Sequence, residues 1–148
     1  MTMKQALFLI TSFALSATAS ETKIKMEDLP APVQAAVKQQ SQGATIKGFA
    51  KEIENGKTTY EAQLTIDGHA KDVSFDSAAK VVSIEEETPL EKIPAAARDA
   101  IRKSIAGGTL KMVETVTESG KTFYEASFKT QAGKNKELRF DADGKSVK

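Results

Sequence analysis

Two stretches of the chain carry apolar residues at helical spacing, and each is followed by stretches in which apolar and polar residues alternate. Leu29, Val33, Ala36, Val37 and Gln40 follow the three-four intervals of one helix face. Pro30 and Pro32 stand early, where a missing N–H costs little, and Gly43 stands where a left-handed residue ends a helix. The pattern predicts a helix from Pro30 to Gln42. Ile93, Ala97, Ala100, Ile101 and Ile105 form an equivalent stripe on a helix that Pro94 starts and Gly107-Gly108 ends. Both stripes are thin and alanine-rich, which predicts helices lying close against a sheet.

The alternating stretches read as strands. Thr58, Tyr60, Ala62, Leu64 and Ile66 share one face, and Thr59, Glu61, Gln63 and Thr65 share the other, as a half-buried antiparallel strand requires. Strands are predicted over Ile46 to Glu54, Lys57 to Ile66, Lys71 to Asp76 and Lys80 to Glu86. Asn55-Gly56 joins the first two as a short hairpin, because both residues tolerate positive φ. Val73 and Phe75 are expected to point inward. After the second helix, strands are predicted over Thr109 to Glu118, Thr122 to Thr130, Lys136 to Asp141 and a stub at Lys145 to Lys148, with Ser119-Gly120 as the hairpin turn.

These two series are copies of one another. Leu29 to Val82 recurs about 64 residues later as Ile93 to Val147. Gly56-Lys57-Thr58-Thr59-Tyr60-Glu61-Ala62 meets Gly120-Lys121-Thr122-Phe123-Tyr124-Glu125-Ala126, and Phe75-Asp76 meets Phe140-Asp141 after a one-residue insertion near Gly133. The expected fold is α+β: two tandem repeats, each one helix followed by a four-stranded antiparallel meander. The junction Glu85-Glu86-Glu87-Thr88-Pro89 is short, so the two sheets should sit side by side. Residues 21–86 are assigned to the first repeat and 87–148 to the second.

The residues Leu29-Pro30, Val33, Gly43-Ala44-Thr45-Ile46-Lys47, Gly56-Lys57, Tyr60-Glu61-Ala62, Leu64, Gly68 and Phe75-Asp76 resemble the PepSY-like domains of exported bacterial proteins, themselves similar to the β-lactamase-inhibitor protein. Ile93-Pro94, Gly107, Thr109-Leu110-Lys111, Gly120-Lys121, Tyr124-Glu125-Ala126, Phe128, Gly133 and Phe140-Asp141 carry the resemblance in the second copy. It spans nearly all of the chain after residue 20. It implies a duplicated helix-on-sheet unit, giving one continuous sheet with a concave outer face that can grip another protein. The chain has no cysteine and no tryptophan, and no peptidase domain is attached, so a β-lactamase target is not implied.

The N-terminus adds a compartment. Lys4 precedes the apolar run Ala6 to Leu15, and Ala17-Thr18-Ala19 offers the small residues a signal peptidase reads. Residues 1–20 are therefore expected to be a secretory signal, cleaved after Ala19 or Ser20. The run is too short for a membrane span of roughly 20 residues. A periplasmic or secreted protein without stable membrane insertion is expected. Without cysteine, an exported chain has no disulfide framework, thiolate nucleophile or lipidated N-terminus. With 21 basic and 20 acidic side chains there is no basic cluster for nucleic acid.

Catalytic parts are scarce. His69 is the sole histidine and lies beside Gly68 in a predicted turn, so neither a Ser-His-Asp relay nor a zinc site can be assembled. Asp141-Ala142-Asp143-Gly144 matches the start of a calcium loop, but the acid required at the twelfth position falls beyond Lys148, and an Asp-Gly turn explains it better. Gly107-Gly108 reads as a helix stop. Tyr60 and Tyr124 share phase with Leu64 and Phe128 and should sit in the core with their hydroxyls at the rim. Glu61 and Glu125 should meet solvent on the opposite face.

Phe123 takes the place of Thr59 on that outer face, beside Glu125, Ser127 and Lys129. It is a candidate contact anchor; otherwise it covers Val113 or meets the other repeat. The candidate partner-binding face is thus Thr59, Glu61, Phe123, Glu125 and Ser127, with no catalytic, metal or cofactor residues. The expected function is an exported, non-enzymatic binding or inhibitory protein that engages a protein or peptide in the cell envelope through the outer face or edge of its sheet. The alternative is a periplasmic sensor of a small ligand or metal ion.

Overall fold

A computed structural model describes residues 20–147. The expected signal lies outside them except for Ser20. The strands form one nine-stranded antiparallel sheet in sequence order. Strand β1 (Ser20–Ile24) leads into a 3-10 turn at Met26–Asp28 and helix α1 (Ala31–Gln40), followed by β2 (Thr45–Glu54), β3 (Lys57–Ile66), β4 (His69–Asp76) and β5 (Val81–Glu87). A second 3-10 turn at Leu90–Lys92 leads to α2 (Ala95–Ser104), then β6 (Thr109–Glu118), β7 (Lys121–Lys129), β8 (Asn135–Phe140) and β9 (Ser146–Val147).

The strands do not separate into two sheets side by side. Glu85-Glu86-Glu87, expected in the junction, continues β5, which pairs with β6 from Ser83↔Glu118 to Glu87↔Glu114. The link between the halves narrows to Thr88-Pro89. Thr88 fixes it: its N–H donates to the Val113 carbonyl at 2.9 Å, and its hydroxyl lies 2.8 Å from that of Thr115. Strand β1 was not expected, because Ser20-Glu21-Thr22-Lys23-Ile24 carries no apolar alternation. It is an exposed edge, held by backbone pairing to β2.

Both helices cover the same sheet face. On α1, Val33 and Val37 are buried with Leu29 against Ala62, Leu64, Val73 and Phe75. On α2, Ala97 and Ile101 are buried with Ile93 against Val113, Ala126 and Phe140. Cross-strand partners share a face. Ile84, packed on the first cluster, pairs with Thr117, which has the phase of Val113, so one face runs through the seam. Tyr60 and Tyr124 line it half-buried, as their phase predicts. Gln40, expected on the same stripe, is exposed.

The turns obey their residues. Asn55 (φ 50) and Gly56 (φ 74) form one hairpin, and Ser119 (φ 52) and Gly120 (φ 74) another. Asp76 and Asp141 close equivalent turns: Asp76 Oδ1 accepts from the amides of Ala78 and Lys80, and Asp141 Oδ1 from those of Asp143 and Lys145. An aspartate oxygen committed to two backbone amides explains why Phe-Asp stands at both places.

Candidate binding face

The face away from the helices is built by the alternate residues of each strand. Glu61 on β3 is opposite Ala50 on β2 and Ser74 on β4; Gln63 is opposite Asp72, and Asp72 is opposite Glu85 on β5. Across the seam, Glu85 meets Val116 on β6, and Val116 meets Phe123 on β7. Glu114 pairs with Glu125, and Glu125 with Arg139 on β8; Ser127 pairs with Glu137. Carboxylates dominate this surface. Arg139 is the cation at its centre, with Lys23, Lys57, Lys121 and Lys129 toward its margins.

Several of these acids are buried, so long side chains on a pleated face screen one another from water. Glu125 is 4 % exposed, Glu114 5 % and Asp72 9 %. Carboxylate oxygens of Glu85, Glu114 and Glu125 all lie within 4.8 Å of one another. Burial, reinforced by the neighbouring Glu61, raises the Asp72 carboxyl to about 7. Glu85 is raised to about 7 by burial and then by Glu125, Glu61 and Asp72. Glu114 is raised to about 8, by burial and then by Glu85, Asp72, Glu125 and Glu137. Burial and its contact with Glu125 likewise push Glu137 upward. Glu61 is raised mainly by burial, against the hydrogen bond that Gln63 Nε2 donates to it at 2.9 Å.

Arg139 organises the second half of the face. Its guanidinium donates to Glu125 in a short ion pair and to Glu118 at 3.0 Å. It also lies 5.4 Å from the centroid of the Phe123 ring, a cation–π contact.

Thr59, Glu61, Phe123, Glu125 and Ser127 therefore share the uncovered face, in two groups. Glu125, Phe123 and Ser127 are neighbours on β7, whereas Thr59 and Glu61 lie four strands away on β3. The expectation that Glu61 and Glu125 meet solvent is corrected: Glu61 is half-buried and Glu125 is buried beneath Arg139. Phe123 does not cover Val113, which belongs to the helix-side core; it pairs with Val116 instead. Asp72, Glu85, Glu114, Glu137 and Arg139 were not singled out from the sequence. The phase of each strand holds the signal for them, but only the order of strands shows that these phases meet. His69 is exposed, with Nδ1 3.8 Å from a Glu87 oxygen.

An antiparallel sheet with helices on one face and a charged, uncovered face on the other defines an α+β module. Residues 16–81 and 58–148 each match the PepSY-like, beta-lactamase-inhibitor-like family model, and the chain belongs to that family. The fold is shared with solved structures from Bacteroides. One, from Bacteroides eggerthii and provisionally described as periplasmic, is 20 % identical with a TM-score of 0.65, covering 81 % of this chain and 86 % of its own. A DUF2874 family protein from Bacteroides uniformis is 22 % identical with a TM-score of 0.64, covering 80 % and 86 %. A protein described as BLIP-like, from Bacteroides fragilis, is 24 % identical with a TM-score of 0.56, covering 79 % and 82 %. A comparison with curated proteins finds no match. Among the described residues no helix is long and apolar enough to cross a membrane.

Proposed function

We propose that this is an exported, non-enzymatic binding protein of the periplasm, built from a duplicated helix-and-meander unit, whose uncovered sheet face takes a cationic segment of a protein partner. The observation that carries this reading is the crowding of Glu61, Asp72, Glu85, Glu114, Glu125 and Glu137 on a face whose central cation is Arg139. Carboxylates raised by one another's charge gain most from lysine or arginine, and complementary charge also speeds encounter. The inhibitor-like family and the BLIP-like relative support an interaction module. Thr59, Phe123 and Ser127 supply the neutral contacts between the acids.

A photo-crosslinking amino acid placed at Ser127 on this face, or at Gln39 on the exposed side of α1, tests the reading in the periplasm. The expected outcome is a crosslink from Ser127 whose partner peptide is rich in lysine or arginine, weakened by high salt. Crosslinks confined to Gln39, acidic partner peptides, or none from either site would overturn it.

A further inference from the structure

We propose that Glu85, Glu114 and Glu125 form a site for one hard divalent cation, with calcium the ion their carboxylate donor set favours. The three carboxylates come from adjacent strands β5, β6 and β7, whose pairing fixes their spacing. Their oxygens lie within 4.8 Å of one another. Magnesium demands near-ideal octahedral geometry at about 2.1 Å and keeps several waters, whereas calcium accepts irregular sets of carboxylates. An all-oxygen donor set suits such ions better than zinc or copper, which favour nitrogen and sulfur. Glutamates that bind through both oxygens, with water from the open side of the face, reach the six to eight donors calcium takes.

Crowded acids alone would not make a site; the state of Glu114 is the second observation. Its side chain is aimed into the group and only 5 % exposed, yet among the described residues no donor or cation pairs with it. The charges that face it are Glu85, Asp72, Glu125 and Glu137, all of its own sign. A buried carboxylate is ordinarily paired or bound to metal. Glu125 has Arg139 on one oxygen. With all three ionised, that guanidinium offsets one negative charge and leaves two for a divalent ion, whose binding releases the protons the crowded acids hold. Bound there, the ion would tie β5 of the first half to β6 and β7 of the second, across the seam.

The test uses the purified protein and calcium chloride alone, followed by calorimetric titration and thermal unfolding, with magnesium chloride in parallel. One calcium per chain, tighter than magnesium, and a rising Tm are expected. At pH 8, Glu114→Gln removes a buried carboxyl that has no donor beside it, so it should fold with a higher Tm than the parent in chelator while binding calcium at least about tenfold more weakly. Glu52→Gln, on β2 of the same face, should keep parental affinity. No heat and no Tm change at millimolar calcium, or parental affinity in Glu114→Gln, would overturn the site. The site does not rest on the partner reading: a chain that binds calcium but yields no basic crosslinked peptide would remove that reading alone.

Discussion

Acidification should stabilise this protein. Glu114 carries its proton up to about 8 in the folded state, against 4.5 as an ordinary glutamate. Between those values the folded chain holds a proton that the unfolded chain has released, so stability falls as pH rises. The contribution is fully present below about 4.5 and is lost as pH passes through about 8. At 1.36 kcal/mol per unit, a shift of this size corresponds to about 5 kcal/mol as an upper bound. Glu85 and Asp72, each raised to about 7, act in the same direction. Their shifts arise partly from one another, so they do not add. About 3 kcal/mol across the group is a conservative figure. At roughly 4 °C per kcal/mol for a domain of this size, Tm should rise by about 10 °C from pH 8 to pH 5.5. Thermal unfolding followed by circular dichroism, with chelator present, measures it. Glu114→Gln should flatten the profile by raising Tm at pH 8 and changing it little at pH 5.5. A parental Tm that is level, or higher at pH 8 than at pH 5.5, would refute the account of the buried acids.

Three further outcomes are open to test in urea melts. Gly144 has φ 76, and an added Cβ would stand 2.5 Å from the Ala96 carbonyl oxygen on α2. Gly144→Ala should therefore cost about 2–4 kcal/mol through backbone strain and overpacking. Ala79, at the matching turn, holds φ 67 with a side chain; Ala79→Gly should be neutral or stabilising by up to about 1 kcal/mol, because relief of strain outweighs the added chain entropy. Arg139→Ala leaves Glu125 buried without its cation and should cost about 3 kcal/mol.

The helix-side core was legible because it is written locally. Val33 and Val37, Ala97 and Ile101, and the Tyr60-Ala62-Leu64 phase each declare a face within a few residues, and the structure buries them together. Asn55-Gly56 and Ser119-Gly120 fix hairpins for the same reason. The edge strand β1 was silent, since a short polar segment held by backbone bonds leaves no periodic trace. The junction misled in a different way. Glu85-Glu86-Glu87 looks like a solvated charged link, yet Glu86 pairs with Lys71 at 3.0 Å on one face while Glu85 lies half-buried on the other. Alternation in a run of identical residues cannot be seen in sequence.

The acidic centre depends on what the two halves do not share. In the aligned copies Glu61 corresponds to Glu125, but its cross-strand neighbour Ala50 corresponds to Glu114. The first half alone thus sets one glutamate beside an alanine, where the second sets two glutamates together. Glu85 then comes from the last strand of the first half, and it reaches the pair because β5 and β6 are neighbours. A half expressed by itself would lack either Glu85 or the Glu114–Glu125 pair. The seam is therefore more than a junction between similar modules: it is where substitution in one copy and pairing with the other concentrate charge that the fold must neutralise. Protons, a divalent ion or a basic partner can each do so.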